Sequence, residues 1–374
     1  MLTTLCLLTL SPFVSATGVE TGTTLNATGE DPAILAEEPR LAPKAGSAVL
    51  RRIEIEHALT LEQMVFRVGE DQEIMPGTMS LASALKLDLH DEYRALDGER
   101  LLNLRRSADA VHFTGDLTIT VPAAAGQARR LDTRSLDKRS SLEGKSVVFE
   151  RAAAGEFGRH FDAQEGSEEA LRHLAWDLDM SAFLPPGPVL PGDSWDVPVA
   201  ALVDVVAPGG SWPLPRGRAD DAMFHRSVTS GMGGGLEEAF GGVEDGLLRM
   251  TWRGRGSGEN AHLGLMDMEL HLRLAKVQTK LAAAQQTARE RLSNVRIVNA
   301  SLSLDLEGSG VLTWDMTAGR LAAFSLDGRQ RVRMRIVTQR GDEEQREQTL
   351  QMAGSLSSRV STQAAEPRPT PGPR

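Results

Sequence analysis

Apolar and polar residues alternate with a period of two through most of the chain. Ile53 and Ile55 alternate with Arg52, Glu54 and Glu56, and Leu85, Leu87 and Leu89 alternate with Lys86, Asp88 and His90. Asp97-Gly98 supplies a tight turn, after which Leu101, Leu102 and Leu104 resume the run. Leu117, Ile119 and Val121 alternate with Thr118 and Thr120. Successive strand side chains point to opposite faces, so this pattern predicts antiparallel sheet with one face packed and one face wet.

The same period governs the C-terminal part. Met266, Met268, Leu270, Leu272 and Leu274 oppose Asp267, Glu269, His271 and Arg273. Val298, Ala300, Leu302, Leu304 and Leu306 form a second stripe. Val311 to Met316 leads into a turn at Thr317-Ala-Gly-Arg320 and returns through Leu321 to Leu326, with Gly319 able to take the positive φ of a hairpin. Val332, Met334 and Ile336 then alternate with Arg329, Arg331, Arg333 and Arg335, and Leu350, Met352, Gly354, Leu356 and Val360 close a meander of long strands.

Two segments read as helices. Ser167 is placed to cap one that runs through Leu171, Leu174, Ala175 and Leu178. The other spans 275–296, with Val277, Leu281, Ala284, Ala288, Leu292 and Val295 on one stripe. Breakers divide the chain at Leu184-Pro-Pro-Gly-Pro-Val-Leu-Pro-Gly-Asp-Ser-Trp195 and across the Gly/Pro-rich stretch 207–243. The expected fold is mainly β (α+β): two antiparallel β-sheet lobes, 46–206 and 244–362, curved into half-barrels and carrying one main helix each, with 207–243 as the linker.

The ends have a different composition. Leu2 to Phe13 is an apolar run, followed by Val14-Ser15-Ala16, which reads as a signal peptide over 1–16 and implies export to the periplasm, cell surface or medium. The run is shorter than the roughly 20 residues a membrane-spanning helix needs, and no later stretch is apolar enough to be a transmembrane segment. Residues 17–45 are Thr-, Glu-, Ala- and Pro-rich and read as a disordered leader, and 363–374 as a disordered Pro-rich tail.

Composition narrows the chemistry. The 374 residues carry 41 Lys and Arg against 51 Asp and Glu, for a net charge of −10, which argues against a nucleic-acid partner. Lysine occurs only at 44, 86, 138, 145, 276 and 280, so arginine dominates the cations everywhere and a local arginine row carries little weight by itself. Cys6, the one cysteine, lies inside the signal, so the mature chain has no thiol for catalysis, disulfides or cysteine-based zinc sites. That fits a bacterial envelope, in which Asn26-Ala27-Thr28 and Asn299-Ala300-Ser301 are chance matches to a glycosylation signal.

Few residues stand out as chemistry. His173 and Asp177 lie four apart on the first expected helix, a spacing that can present two metal ligands, with Asp179 and His160 as neighbours; an exposed helical pair has the same spacing. Gly192-Asp-Ser-Trp195 lacks the glycine after serine that a nucleophile elbow uses. It reads as a turn in which Asp193 or Ser194 accepts backbone N–H groups while Trp195 enters a core. Gly231-Met-Gly-Gly-Gly235 is followed by Leu236 where a phosphate loop has lysine. The arginine row suits anionic headgroups or acidic glycans, or else a solvated face that protects the sheet. No cofactor and no metal are expected.

Three phrases occur together: Leu142-Glu-Gly-Lys-Ser-Val-Val-Phe149, Leu174-Ala-Trp-Asp-Leu-Asp-Met180 with Phe183-Leu-Pro-Pro186, and Gly192-Asp-Ser-Trp195. With Gly308 to Leu321, they give the chain a resemblance, over about 140–200 and 300–340, to an uncharacterised family of exported bacterial β-rich proteins. The resemblance implies β-rich lobes and an envelope location and assigns no catalytic residue. The functional expectation is non-enzymatic binding or scaffolding in the envelope, of an apolar or envelope-derived ligand, with an envelope lipid, glycan or protein as partner. The alternatives are a hydrolase or metal-dependent enzyme using His173 and Asp177, and a self-assembling surface protein.

Overall fold

The structure, a computed structural model, describes residues 36–74, 77–98, 100–122, 128–163, 165–214, 243–278, 295–340 and 344–369. Its frame is a single antiparallel sheet of thirteen strands. In chain order these are β1 (Ser47–Val68), β2 (Asp71–Ile74), β3 (Thr78–Asp97), β4 (Arg100–Pro122), β5 (Ala128–Arg139), β6 (Ser146–Arg151), β7 (Phe157–Phe161), β8 (Ser194–Asp196), β9 (Val243–Arg255), β10 (Leu263–Gln278), β11 (Val295–Asp315), β12 (Arg320–Arg340) and β13 (Arg346–Ala365). Their order across the sheet is β7-β6-β4-β3-β1-β13-β12-β11-β10-β9-β8, with β2 on β1 and β5 on β4 as side branches. At about 3.3 Å per residue, the 23 residues of β4 extend for roughly 75 Å, several times the usual strand length.

The expected alternation is present. Ile53, Ile55, Leu87, Leu89, Met266, Met268, Leu270, Leu272, Leu306 and Leu312 are all buried on one face, called the inner face here. The hairpin at Gly319 forms as its glycine suggests, with φ +61°. Val298 departs from its stripe and is 44% exposed, because the register shifts between Ile297 and Asn299 and turns it out of phase with Leu304 and Leu306.

The two halves of the chain meet in one sheet. β1 and β13 pair from Ala48↔Ala365 to Val68↔Arg346, so strands from opposite ends of the sequence lie side by side. One face of one end of this sheet is covered by residues 165–214. From this cover Leu171, Leu174, Leu178, Phe183, Leu202, Val205 and Trp212 pack onto the core.

The helices differ most from the sequence reading. Over 167–178 only a 3₁₀ turn forms, Glu168–Leu171. Leu171, Leu174 and Leu178 are buried as the spacing suggests, but the carbonyls that would continue a helix are taken elsewhere. His173 O accepts from Ser211 N, and Ala175 O and Trp176 O accept from the Arg106 guanidinium. The second expected helix begins at 275, yet 275–278 continue β10, where Val277 pairs with Leu302 on a ready-made ladder; 279–294 lie outside the described residues. The one α-helix among the described residues is α1 (Leu202–Val206), within the cover.

The supposed linker and ends are also partly built in. Residues 207–214 hold Trp212 against the core, and the rest of that stretch, including Gly231 to Gly235, lies outside the described residues. Of the leader, 36–45 are ordered: Glu37 and Val189 exchange two backbone bonds, and Ala42 N donates to Gly319 O. Of the tail, 363–365 complete β13, and Arg368 forms a two-pronged ion pair with Asp109. In both cases backbone groups and a charged side chain find partners in the sheet that composition does not reveal. Residues 1–35, which hold the signal reading and Cys6, lie outside the described residues.

Candidate functional site

The sequence-derived candidates separate in space. The His173 side chain is exposed, and only its backbone is engaged. The Asp177 carboxylate turns to its own chain, with Oδ1 accepting from Asp179 N at 2.8 Å and Oδ2 accepting from the Ser181 backbone N and hydroxyl. It therefore closes the 3₁₀ turn Ser181–Phe183, and burial beside the Asp179 charge raises its pKa. His160 is exposed on β7. Asp193 Oδ2 accepts from Leu190 N, the Ser194 hydroxyl meets that of Thr251, and Trp195 donates to Phe183 O, which makes Gly192–Trp195 a turn and an anchor for the cover. Among the described residues no group of His, Cys, Asp and Glu is arranged to hold a metal ion.

Asp179 stands apart from these. Its carboxylate accepts from Arg51 Nη2 at 2.8 and 2.9 Å, from the Tyr93 hydroxyl at 2.6 Å and from Leu321 N at 3.1 Å. Arg51 also donates to Asp91, and Arg106 clasps Asp91 through Nε at 2.7 Å and Nη2 at 3.0 Å. Burial alone would raise the Asp91 pKa, but the Arg106 and Arg51 charges beside it bring it below the usual carboxylate range. The network has two guanidinium and two carboxylate charges, and all four side chains are nearly inaccessible. With charge balanced and oxygens filled, it offers no site for a substrate. Its chemistry is that of a rivet joining β1, β3, β4, the β12 turn and the cover.

On the opposite face of the same strands lies a second ionic group. Arg105 pairs with Glu92 and Asp162, and Glu92 also accepts from Arg368 N. His90, expected on a wet face, is buried because the tail crosses it and Glu366 O lies 3.0 Å from its Nε2.

The feature with open chemistry is the inner face beyond the cover. Ser140, just after β5, and Ser358 on β13 donate hydrogen bonds to Pro213 O and Val205 O of the cover. Further along the strands the same face carries Leu59, Leu61, Met64 and Phe66 of β1, Leu81 of β3, Ile119 of β4, Val332 and Met334 of β12, and Leu350 and Met352 of β13. Burial is uneven along this stretch, where Met79, Leu117 and Leu136 of β3 to β5 are also buried on the same face. Met64, Leu350 and Met352 are buried, whereas Leu59, Leu61, Phe66, Leu81, Ile119, Val332 and Met334 are only partly so. At its head lie His57 and Gln330, whose Nε2 is 3.4 Å from His57 Nδ1. Burial pushes the His57 imidazole down to about 4 against the opposing Gln330 contact, so the ring is neutral at neutral pH. The arrangement is an apolar surface with thioether side chains and a small polar head group of its own.

The stripes of Met and Leu were legible as a core, but not which of their residues stay only partly buried beyond the cover. The arginine row lies on the other face, where Arg331 pairs with Glu62 and Arg335 with Glu347. No protein-family model matches this chain, and no curated protein matches it at a significant level.

Proposed function

We propose that this is an exported envelope protein that binds an apolar, envelope-derived ligand, of the size of a lipid acyl chain, on the uncovered half of its inner face. The carrying observation is a continuous apolar face beyond the cover on which Leu59, Leu61, Phe66, Leu81, Ile119, Val332 and Met334 stay only partly buried beside buried Met64, Met79, Leu117, Leu350 and Met352. An apolar face on this scale, left partly wet, is the usual mark of a binding surface.

Curvature supports the reading. Gly310 and Gly308 on β11, Gly328 on β12 and Gly354 on β13 run diagonally across the sheet by register. At Gly354 a Cβ would lie 2.0 Å from Ala58 O, and at Gly310 2.4 Å from Ser325 O. Such a glycine crease lets long strands coil, and we read the sheet as a half-barrel whose two flanks enclose the ligand. The apolar run before Ala16 and the resemblance carried by Gly192–Trp195 favour the envelope as the compartment. The exposed His173 and the self-directed Asp177 speak against the metal-enzyme alternative.

The test is native mass spectrometry of the full chain purified gently from its own envelope, paired with uptake of the fluorophore N-phenyl-1-naphthylamine by delipidated protein. A reproducible extra mass lost on denaturation, with fluorophore uptake reversed by added fatty acid, is the expected result. A bare mass with no uptake refutes the reading. Sequencing the N-terminus of the same material tests cleavage after Ala16.

A further inference from the structure

We propose a second site at the covered end of the sheet, a recess of about 400 Å³ that binds a phosphate-class anion. It lies far along the strands from the apolar face and does not depend on a lipid occupying that face. Three chain segments wall it: the leader at Lys44 and Ser47, the turn before β10 at His262, and the β11–β12 hairpin at Asp315, Thr317 and Arg320.

Two of those side chains are cations, and among the described residues neither the Lys44 ammonium nor the Arg320 guanidinium has an ion-pair or hydrogen-bond partner. Arg52, Arg273, Arg331, Arg335 and Arg359 of the same sheet, in contrast, each meet a carboxylate. The one carboxylate in the recess turns one oxygen to its own hairpin, where Asp315 Oδ1 accepts from Thr317 N at 3.0 Å and Ala318 N at 2.8 Å. The Thr317 hydroxyl also lines the recess, while the Ser47 hydroxyl donates to Lys44 O at 2.6 Å. A guanidinium and an ammonium group beside the Thr317 hydroxyl match the oxygens of a phosphate group, and the volume admits a phosphate ester.

The walls are fixed in place. Gly319 O accepts from Ala42 N, Met316 N donates to His262 O at 2.9 Å, and Leu321 N is held by Asp179. Arg320 therefore projects from a backbone tied on both sides, so little ordering is required when an anion arrives.

Thermal unfolding of the full chain tests the site with inorganic phosphate, with sodium chloride at equal ionic strength as the control. Phosphate is expected to raise Tm in a saturable way that chloride does not reproduce. Arg320→Gln is expected to weaken the apparent affinity at least tenfold while leaving the ligand-free Tm unchanged. Should that variant lose stability, Lys44→Gln, at an exposed position, serves in its place. Glycerol 3-phosphate and vesicles of phosphatidylglycerol, against phosphatidylcholine vesicles, separate the two sources. Binding of the soluble ester alone identifies a free phosphate ester, and Arg320-dependent recruitment to phosphatidylglycerol identifies a lipid headgroup. Equal shifts with phosphate and chloride, without recruitment to phosphatidylglycerol vesicles, overturn the proposal, and so does phosphate binding undiminished in both variants.

Discussion

Asp179 holds together segments that are distant in sequence, and its removal has a defined cost. Replacing it by Asn turns an amide N–H₂ toward Arg51 or Leu321 N and leaves buried Arg51 short of a counter-charge. Breaking one partner of a buried pair costs about 3–5 kcal/mol, so Asp179→Asn is expected to lower unfolding free energy in urea by that amount. Asp177→Asn, which disturbs a local turn whose carboxylate is already raised in pKa by burial, is expected to cost less. A second residue, His57, sets the acid limit. Its folded pKa of about 4 lies below its ordinary 6.5, so the unfolded chain takes up the proton first. The stability this contributes is fully present above pH 6.5 and is lost as pH falls from 6.5 toward 4. Asp91 acts in the same direction at lower pH, because its folded pKa lies below the ordinary 3.8 and its contribution disappears as pH falls through that range. Urea midpoints between pH 7.5 and 4.5 should therefore decline in the native chain and decline less in His57→Leu. Equal slopes would remove His57 as the cause.

At the scale of elements, strands were readable and helices were not, for one physical reason. A strand's period of two survives because each ladder bond goes to a neighbouring strand with the same pattern, as in Leu270 between Leu248 and Gly308. The expected helix at 167–178 failed because its carbonyls found Arg106 and Ser211, and nothing in local spacing announces acceptors 69 and 70 residues from their donor. The rivet was hidden for the same reason. Asp179 appeared among the candidates only as a neighbour of Asp177, while Arg51 and Tyr93, 128 and 86 residues away, gave no signal. The structure makes the glycines of β11 to β13 points of close approach. Gly354→Ala would set a methyl group 2.0 Å from Ala58 O on β1, where backbone cannot move aside without breaking the β1–β13 ladder. Overpacking of this kind costs about 1–3 kcal/mol, and a drop of that size in thermal or urea stability is expected. An unchanged variant would mean that the strands separate freely there and that no crease exists.

At the scale of the molecule, the breaker-rich middle of the sequence suggested two independent lobes, and strand pairing decides otherwise. β1 belongs to the first half and β13 to the second, yet they pair along nearly their whole lengths. The rivet adds a tie of the same kind, since Asp179 bonds Leu321 N across 142 residues. The cover, drawn from the first half, packs Val205 against Ser358 of the last strand. Either half alone would expose the unpaired edge of a 20-residue strand together with an apolar face, a combination that favours aggregation over folding. Unfolding is therefore expected as one cooperative transition, with the calorimetric and van't Hoff enthalpies in agreement. Fragments 36–214 and 243–369 are expected to be insoluble or unfolded when made separately and to recover sheet signal when refolded together. Two resolved transitions, or a fragment 243–369 that folds by itself, would show that the β1–β13 seam is an interface between domains and not the centre of a single sheet.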